Sequence, residues 1–172
     1  MIRKLKNNGH YLGPHSDKHL LYADWTKRDS LLISKEDFKK DLLENFQKMG
    51  KFNIYKKDVP YFIPPYEWYN KATVSWAKEI GLQLFNFSPG TRSNADYTYP
   101  AMGKSYKSSD EIYQSILEYE KNNEHGLNGF ILLIHIGTDP RRTDKFYLKL
   151  DQLLTDLKNK NYSFLRINDL LN

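Results

Sequence analysis

The sequence predicts an α/β fold in which helices cover parallel strands, as an open doubly wound sheet or an incomplete β/α barrel. Three observations carry that reading. Short apolar runs alternate with amphipathic stretches of about three turns, the order expected of strand–helix units. The run Phe130-Ile131-Leu132-Leu133-Ile134 is apolar at every position, as in a strand buried on both faces. Helical stretches open on cap signatures, Ser34 with Asp37 and Ser108 with Glu111.

In chain order, Ile2 and Leu5 sit at helical spacing and Asn7-Asn8-Gly9 ends that turn, so the chain reads as starting inside a helix. Residues 11–13 are a short extended run before Pro14 and a His-rich turn, and a polar loop over 20–33 carries Trp25. Phe38, Leu42, Phe46 and Met49 recur with helical period up to Gly50. A strand is expected over 59–63, cut off by Pro64-Pro65. Asn70 caps a helix with Val74, Ala77 and Ile80 inward, and a second strand is expected over 82–87. The segment 88–107 is a long loop, and loops of that length are usually functional. Ile112 and Ile116 follow the Ser108 cap, a further helix carries Phe146, Leu150, Leu153 and Leu157, and a last strand is expected over 162–167. Five strands are too few to close a barrel. Strand–helix units are therefore expected upstream, with residues 1–172 the C-terminal portion of a single domain. In either architecture the chemistry belongs at the carboxyl ends of the strands.

Composition narrows the function classes. A net charge of +5 is modest, and lysines such as Lys35, Lys39, Lys40 and Lys48 are spread along helices rather than gathered in a stripe. A nucleic-acid partner is not expected. With no cysteine there is neither a disulfide framework nor a thiolate metal site. No run approaches the ~18 apolar residues of a membrane span, and the charged start has no apolar run behind it. Aromatics make up 15% of the chain, which serves packing or a sugar-facing surface.

Four constellations carry chemistry. His15 and His19 follow the first extended run, and two imidazoles four residues apart face one point if the turn is helical; otherwise they are incidental surface histidines. His10 precedes the run and reads as structural. His135 ends the apolar run, as a satisfied core histidine or as a general acid/base. Pro64-Pro65-Tyr66-Glu67-Trp68 stiffens the backbone past a strand, either to aim a main-chain N–H or merely to pack aromatics. Asp96-Tyr97 places a carboxylate in the long loop, where it orients a histidine or is solvated.

In this order the segments resemble the polysaccharide deacetylases of carbohydrate esterase family 4. Residues 9–19, Gly-His-Tyr-Leu-Gly-Pro-His-Ser-Asp-Lys-His, resemble the family's second motif. Pro64-Pro65-Tyr66 is similar to the end of the third, Asp96-Tyr97 to the fourth and Leu133-Ile134-His135 to the fifth. The resemblance implies a distorted seven-stranded β/α barrel, here missing its first strand–helix units. It implies hydrolysis of an N- or O-acetyl group on an acetylated polysaccharide by a water bound to a divalent metal, usually zinc. His15 and His19 are then metal ligands alongside an Asp of the first motif. The Tyr66 N–H holds the oxyanion, and His135, oriented by Asp96, protonates the leaving group. Leu133 lines the acetyl-methyl pocket, with Trp68 and Tyr97 on the substrate side. Parallel strands would bring all of these to one face.

Two departures qualify this. The first motif, an Asp-Asp segment that supplies the base and the third ligand, is absent, which leaves open whether the chain hydrolyses by itself. Ile63 stands where the family has an Arg that steadies the base, so another cation (Arg92, Arg141 or Arg142) or a different base is required. Glu67, where many relatives have Gly, is either an exposed acidic residue or a substitute base or acetyl-sugar contact that offsets the changed first motif. The alternative reading is a degenerate barrel that binds glycans without hydrolysing them. Relatives are often exported; the chain itself selects no compartment.

Overall fold

The computed structural model describes residues 1–171. In chain order the regular elements are α1 (Ile2–Asn7), α2 (Lys35–Gly50), β1 (Tyr61–Phe62), α3 (Lys71–Glu79), β2 (Gln83–Leu84), α4 (Ser109–Asn122), α5 (Leu150–Asn159) and α6 (Ile167–Leu170), with short 3-10 turns between them. They fall into two compact units: residues 1–86 with the chain end from Leu165, and Phe87–Phe164.

Helix starts follow local chemistry. The Ser34 hydroxyl accepts the Asp37 N–H at 3.0 Å, and Asn70 with Thr73 and Ser108 with Glu111 form reciprocal capping boxes. In the first unit Tyr22, Phe38, Leu42, Phe62, Ala77 and Leu82 form the core, where α2 and α3 meet β1 and the approach to β2. Val74, expected inward, is 39% exposed; Trp76 packs on the core instead. The second unit closes around Ile112, Ile116, Phe146, Leu153 and Leu157, from the stripes of α4 and α5 and the turn before α5.

The strands differ from expectation. β1 and β2 pair in parallel, Tyr61 opposite Gln83 and Phe62 opposite Leu84, and they are the whole of the sheet among the described residues. No barrel is built there. Residues 11–13 and 130–134 form no strand, and of the expected last strand residues 162–166 are irregular while Ile167 opens α6. The physical reason is that side chains take the backbone groups a neighbouring strand would pair. On the edge of β1 away from β2, the Tyr61 N–H donates to the Tyr11 hydroxyl at 2.7 Å, and that hydroxyl donates to the Tyr61 carbonyl at 2.9 Å. In the second unit the Ile131 N–H donates to Ser88 Oγ at 3.1 Å, and the Ile131 carbonyl accepts the Ser88 N–H at 3.0 Å. Phe130, Leu132 and Ile134 still pack on the core in alternation, so Leu133 and His135 belong to the other face of the same extended segment.

Gly13 is required where it stands: a Cβ there would lie 2.8 Å from the Tyr61 carbonyl oxygen. Burial pushes the Tyr11 phenol up to about 12 from its ordinary 10.0, with the Tyr61 amide opposing. Because the folded value is raised, the stability Tyr11 contributes is complete below pH 10 and is lost as pH rises toward 12. Tyr11→Phe should therefore flatten the fall in urea midpoint across that window relative to wild type.

Candidate active site

In the first unit, His15 and His19 sit on a turn held from one side by α2. Asp41, three residues after Phe38 in the inward stripe, is 1% exposed. Its carboxylate accepts the Ser16 hydroxyl, the Asp17 N–H at 3.1 Å and the Lys18 N–H at 2.9 Å. Asn45 Oδ1 accepts the His15 N–H at 3.3 Å, and Lys48 pairs with Asp17 at 2.6 Å. Asp41, Asn45 and Lys48 share one helix face by their i, i+4, i+7 spacing. The turn needs such a clamp because Ser16 and His19 both hold positive φ, 75° and 54°. Asp41 is a residue the sequence reading missed; a carboxylate inside an otherwise apolar stripe was its signal. Asp41→Ala should cost about 2 kcal/mol in urea unfolding, since it leaves three partly buried donors without their acceptor, and Asp41→Asn about half of that.

His15 Nδ1 lies 2.8 Å from the Ile63 carbonyl, and a carbonyl only accepts, so Nδ1 carries the proton and Nε2 the lone pair. Ligating histidines are commonly oriented this way. The His15 and His19 rings are 5.1 Å apart, centroid to centroid. Two imidazoles on one tetrahedral ion at about 2.05 Å have centroids roughly 5.2 Å apart, and the same separation is that of an edge-on ring pair, which their 67° interplanar angle describes. Among the described residues no group of three or more His, Asp or Glu gathers around a metal position.

The Tyr66 ring packs edge-on against His19 at 4.5 Å, which places it beside the histidine pair. Tyr66 and Glu67 both take positive φ, 58° and 53°, directly after Pro64-Pro65. Asn86 Nδ2 fixes this turn by donating to the Glu67 carbonyl at 2.9 Å. The left-handed backbone explains why glycine suits position 67. Glu67→Gly should raise stability by about 1 kcal/mol in thermal unfolding, and an unchanged or lowered midpoint would show that the side chain's own interactions outweigh the relieved strain. Trp68 is half-buried, its Nε1–H donating to the Asp24 carbonyl at 3.2 Å with the Arg28 guanidinium 4.2 Å above its ring.

In the second unit, the 88–107 loop folds through a 3-10 turn, Ser93–Tyr97, that buries Asp96 to 1% exposure. Asp96 grips His135 twice: Oδ1 lies 2.6 Å from Nδ1, and Oδ2 accepts the His135 N–H at 2.6 Å. The ring is thus fixed in orientation with Nε2 directed away from the carboxylate. Tyr97 packs edge-on at 5.8 Å from the His135 ring. Of the cations considered for the absent Arg, Arg141 and Arg142 are engaged elsewhere. Arg142 is fully buried and donates to the Thr98 and Lys107 carbonyls, while Arg141 pairs with Asp139 and stacks on Tyr99. Arg92 holds a left-handed backbone at the start of the Ser93–Tyr97 turn. His10 lines a cleft with Lys6 and Arg166, apart from the His15–His19 turn.

Residues 1–85 match the family described as Polysaccharide deacetylase. The fold is similar over 99% of this chain to that of a CE4 family pseudoenzyme from Bacillus anthracis, with TM-score 0.68 and 17% identity. A mutant of that pseudoenzyme with restored enzymatic activity matches equally, at TM-score 0.68. A peptidoglycan N-acetylglucosamine deacetylase solved with a naphthyl N-oxidanyl-benzamide is similar at TM-score 0.71 and 18% identity over 98% of this chain. The chain spans 49% of the pseudoenzyme's length and 66% of that deacetylase. No curated protein matches the sequence. Over residues 1–85 the chain thus matches the polysaccharide deacetylase family, and along the rest it shares the fold of CE4 structures.

Proposed function

We propose that this chain contributes to metal-dependent removal of N- or O-acetyl groups from a polysaccharide. The observation that carries the reading is the two-point hold of Asp96 on His135, an arrangement suited to a general acid and unneeded by a surface histidine. His135 Nε2 would deliver a proton to the departing amine or alcohol while Asp96 keeps the proton on Nδ1. The Tyr66 N–H would donate to the oxyanion, a contact worth about 3–4 kcal/mol in comparable sites. Leu133, on the same face as His135, would line the acetyl methyl, with Tyr97 and Trp68 toward the sugar. His15 and His19 would hold a divalent ion, with zinc among those that imidazole ligands suit. Such an ion supplies Lewis acidity for hydrolysis. Glu67 is the candidate for the base that the usual motif provides; Glu67→Gln should then lower kcat by at least ~100-fold, and a change in KM alone would make it a sugar contact.

The second reading, a barrel that binds glycan without hydrolysis, is favoured by Ile63 in place of a cation and by the lack of a third ligand among the described residues. One experiment separates them. The protein is incubated with an acetylated oligosaccharide, with zinc and then with a chelator, while acetate and bound metal are measured. Zinc-dependent acetate release is expected. Sugar retention without acetate selects the binding reading, and neither result removes both.

A further inference from the structure

Arg28 is a cation held firmly in place without a counter-ion. Its Nε–H donates to the Tyr69 carbonyl at 2.7 Å, and its guanidinium carbon lies 4.2 Å from the centre of the Trp68 ring and 5.3 Å from that of Tyr69. Its own carbonyl accepts from Asn70 Nδ2 at 3.0 Å, so backbone and head are both tied to the segment that opens α3. Yet Arg28 is exposed and forms no ion pair among the described residues. The carboxylates next to it in sequence do not take it. Asp24 Oδ1 accepts the Thr26 N–H at 2.8 Å, the Thr26 hydroxyl at 2.7 Å and the Lys27 N–H at 2.7 Å, and exposed Asp29 makes no ion pair with it. A guanidinium carries five N–H donors in one plane, and the Tyr69 carbonyl uses only the one on Nε, which leaves the Nη edge open. A row of side chains joins this edge to the candidate site within the first unit. Trp68 lies 5.4 Å from Trp25, Trp25 lies 5.7 Å from Tyr66, and Tyr66 meets His19 at 4.5 Å.

From this geometry we infer that Arg28 receives a carboxylate carried by a sugar flanking the one whose acetyl group is removed, so that the site takes an anionic glycan. The inference rests on the functional reading above and names the class of its substrate. A carboxylate presents two oxygens that match two parallel N–H groups of a guanidinium, and such charge-assisted pairs are about twice as strong as neutral ones. A sugar hydroxyl presents one neutral acceptor and gains little over the water it displaces. Holding Nε on a carbonyl and the head over two rings fixes the fork before binding, which spares part of the ordering cost of a long side chain. Lys27, exposed and likewise in no ion pair among the described residues, adds a second positive charge beside it. The acid belongs either to a hexuronic acid or to an ether-linked acid on an amino sugar; the recognition chemistry is the same for both.

The test is calorimetric titration of the full chain with an oligosaccharide that alternates N-acetylglucosamine and glucuronic acid. The same oligosaccharide with its carboxylates reduced to alcohols is the neutral control, and a third titrant carries N-acetylmuramic acid in place of the uronate. Wild type should bind an acidic titrant at least ~10-fold more tightly than the neutral control, and the tighter of the two identifies which sugar bears the acid. Arg28→Gln should abolish that difference, and Arg28→Lys should keep only part of it, because an ammonium has no planar fork. Unfolding curves check that both variants are folded, and the wild-type comparison stands without them. Equal binding of acidic and neutral titrants by wild type overturns the inference, as does a preference that survives in Arg28→Gln. Zinc-dependent acetate release from a neutral N-acetylglucosamine oligomer, measured alongside, keeps the deacetylase reading whichever way the titrations fall. Binding of no titrant overturns the inference, and together with no acetate release it removes the functional reading as well.

Discussion

Replacing His135 by alanine lowers turnover by about 10²–10⁴-fold in any form of the protein that releases acetate, the usual effect of losing a general acid. The loss should fall on kcat, with KM little changed, because the imidazole acts on the departing group rather than on the resting sugar. Asp96→Asn should give a loss of similar order by a different route. An asparagine has one acceptor oxygen where the carboxylate uses two, so it cannot hold both Nδ1 and the His135 N–H, now each at 2.6 Å. Nitrogen NMR of His135 should then show the ring no longer confined to the Nδ1–H tautomer. Unchanged acetate release in His135→Ala would return this residue to the core histidine that the apolar run alone also allows.

Replacing Arg142 by methionine destabilises the protein by about 3–5 kcal/mol, as expected when one member of a buried charged network is removed. The guanidinium donates to the Thr98 carbonyl at 2.6 Å, the Lys107 carbonyl at 2.9 Å and Ser109 Oγ at 3.0 Å, with the Asp144 carboxylate 3.6 Å away. Arg142 therefore ties both ends of the 98–107 stretch to the start of α4. Methionine fills much of the volume but leaves those carbonyls without a donor. The drop is read from urea midpoints at constant slope. Arg142→Lys keeps the charge without the planar fork, so it should recover only part of the loss. A midpoint within 0.5 kcal/mol of wild type, on the scale of ordinary surface substitutions, would show that water serves those carbonyls equally well.

The candidate residues were legible because their signals are local. His15 and His19 stand four apart after a proline, Asp96 lies in a long loop, and His135 ends an apolar run. What was not legible is how each is held. Asp41 and Trp25 serve the first unit through residues far along the chain, as Asp41 does for residues 16–18 and Trp25 for Tyr66 and Trp68. Arg142 looked like a spare cation from sequence and is a buried staple in the fold.

By itself the sequence determined α2, α3 and α4 and their starting points. Ser34, Asn70 and Ser108 cap the helices that begin one residue later, because a cap satisfies amide donors only two or three positions away. Only the tertiary structure decided which extended runs become strands. Strand pairing depends on which acceptors and donors a distant segment presents, and apolar pattern carries no record of that. At Tyr61 and Ile131 the partners are the hydroxyls of Tyr11 and Ser88, and at His135 the partner is a carboxylate. The runs keep their alternation without a ladder, and the last of these substitutions is the one that builds the Asp96–His135 pair.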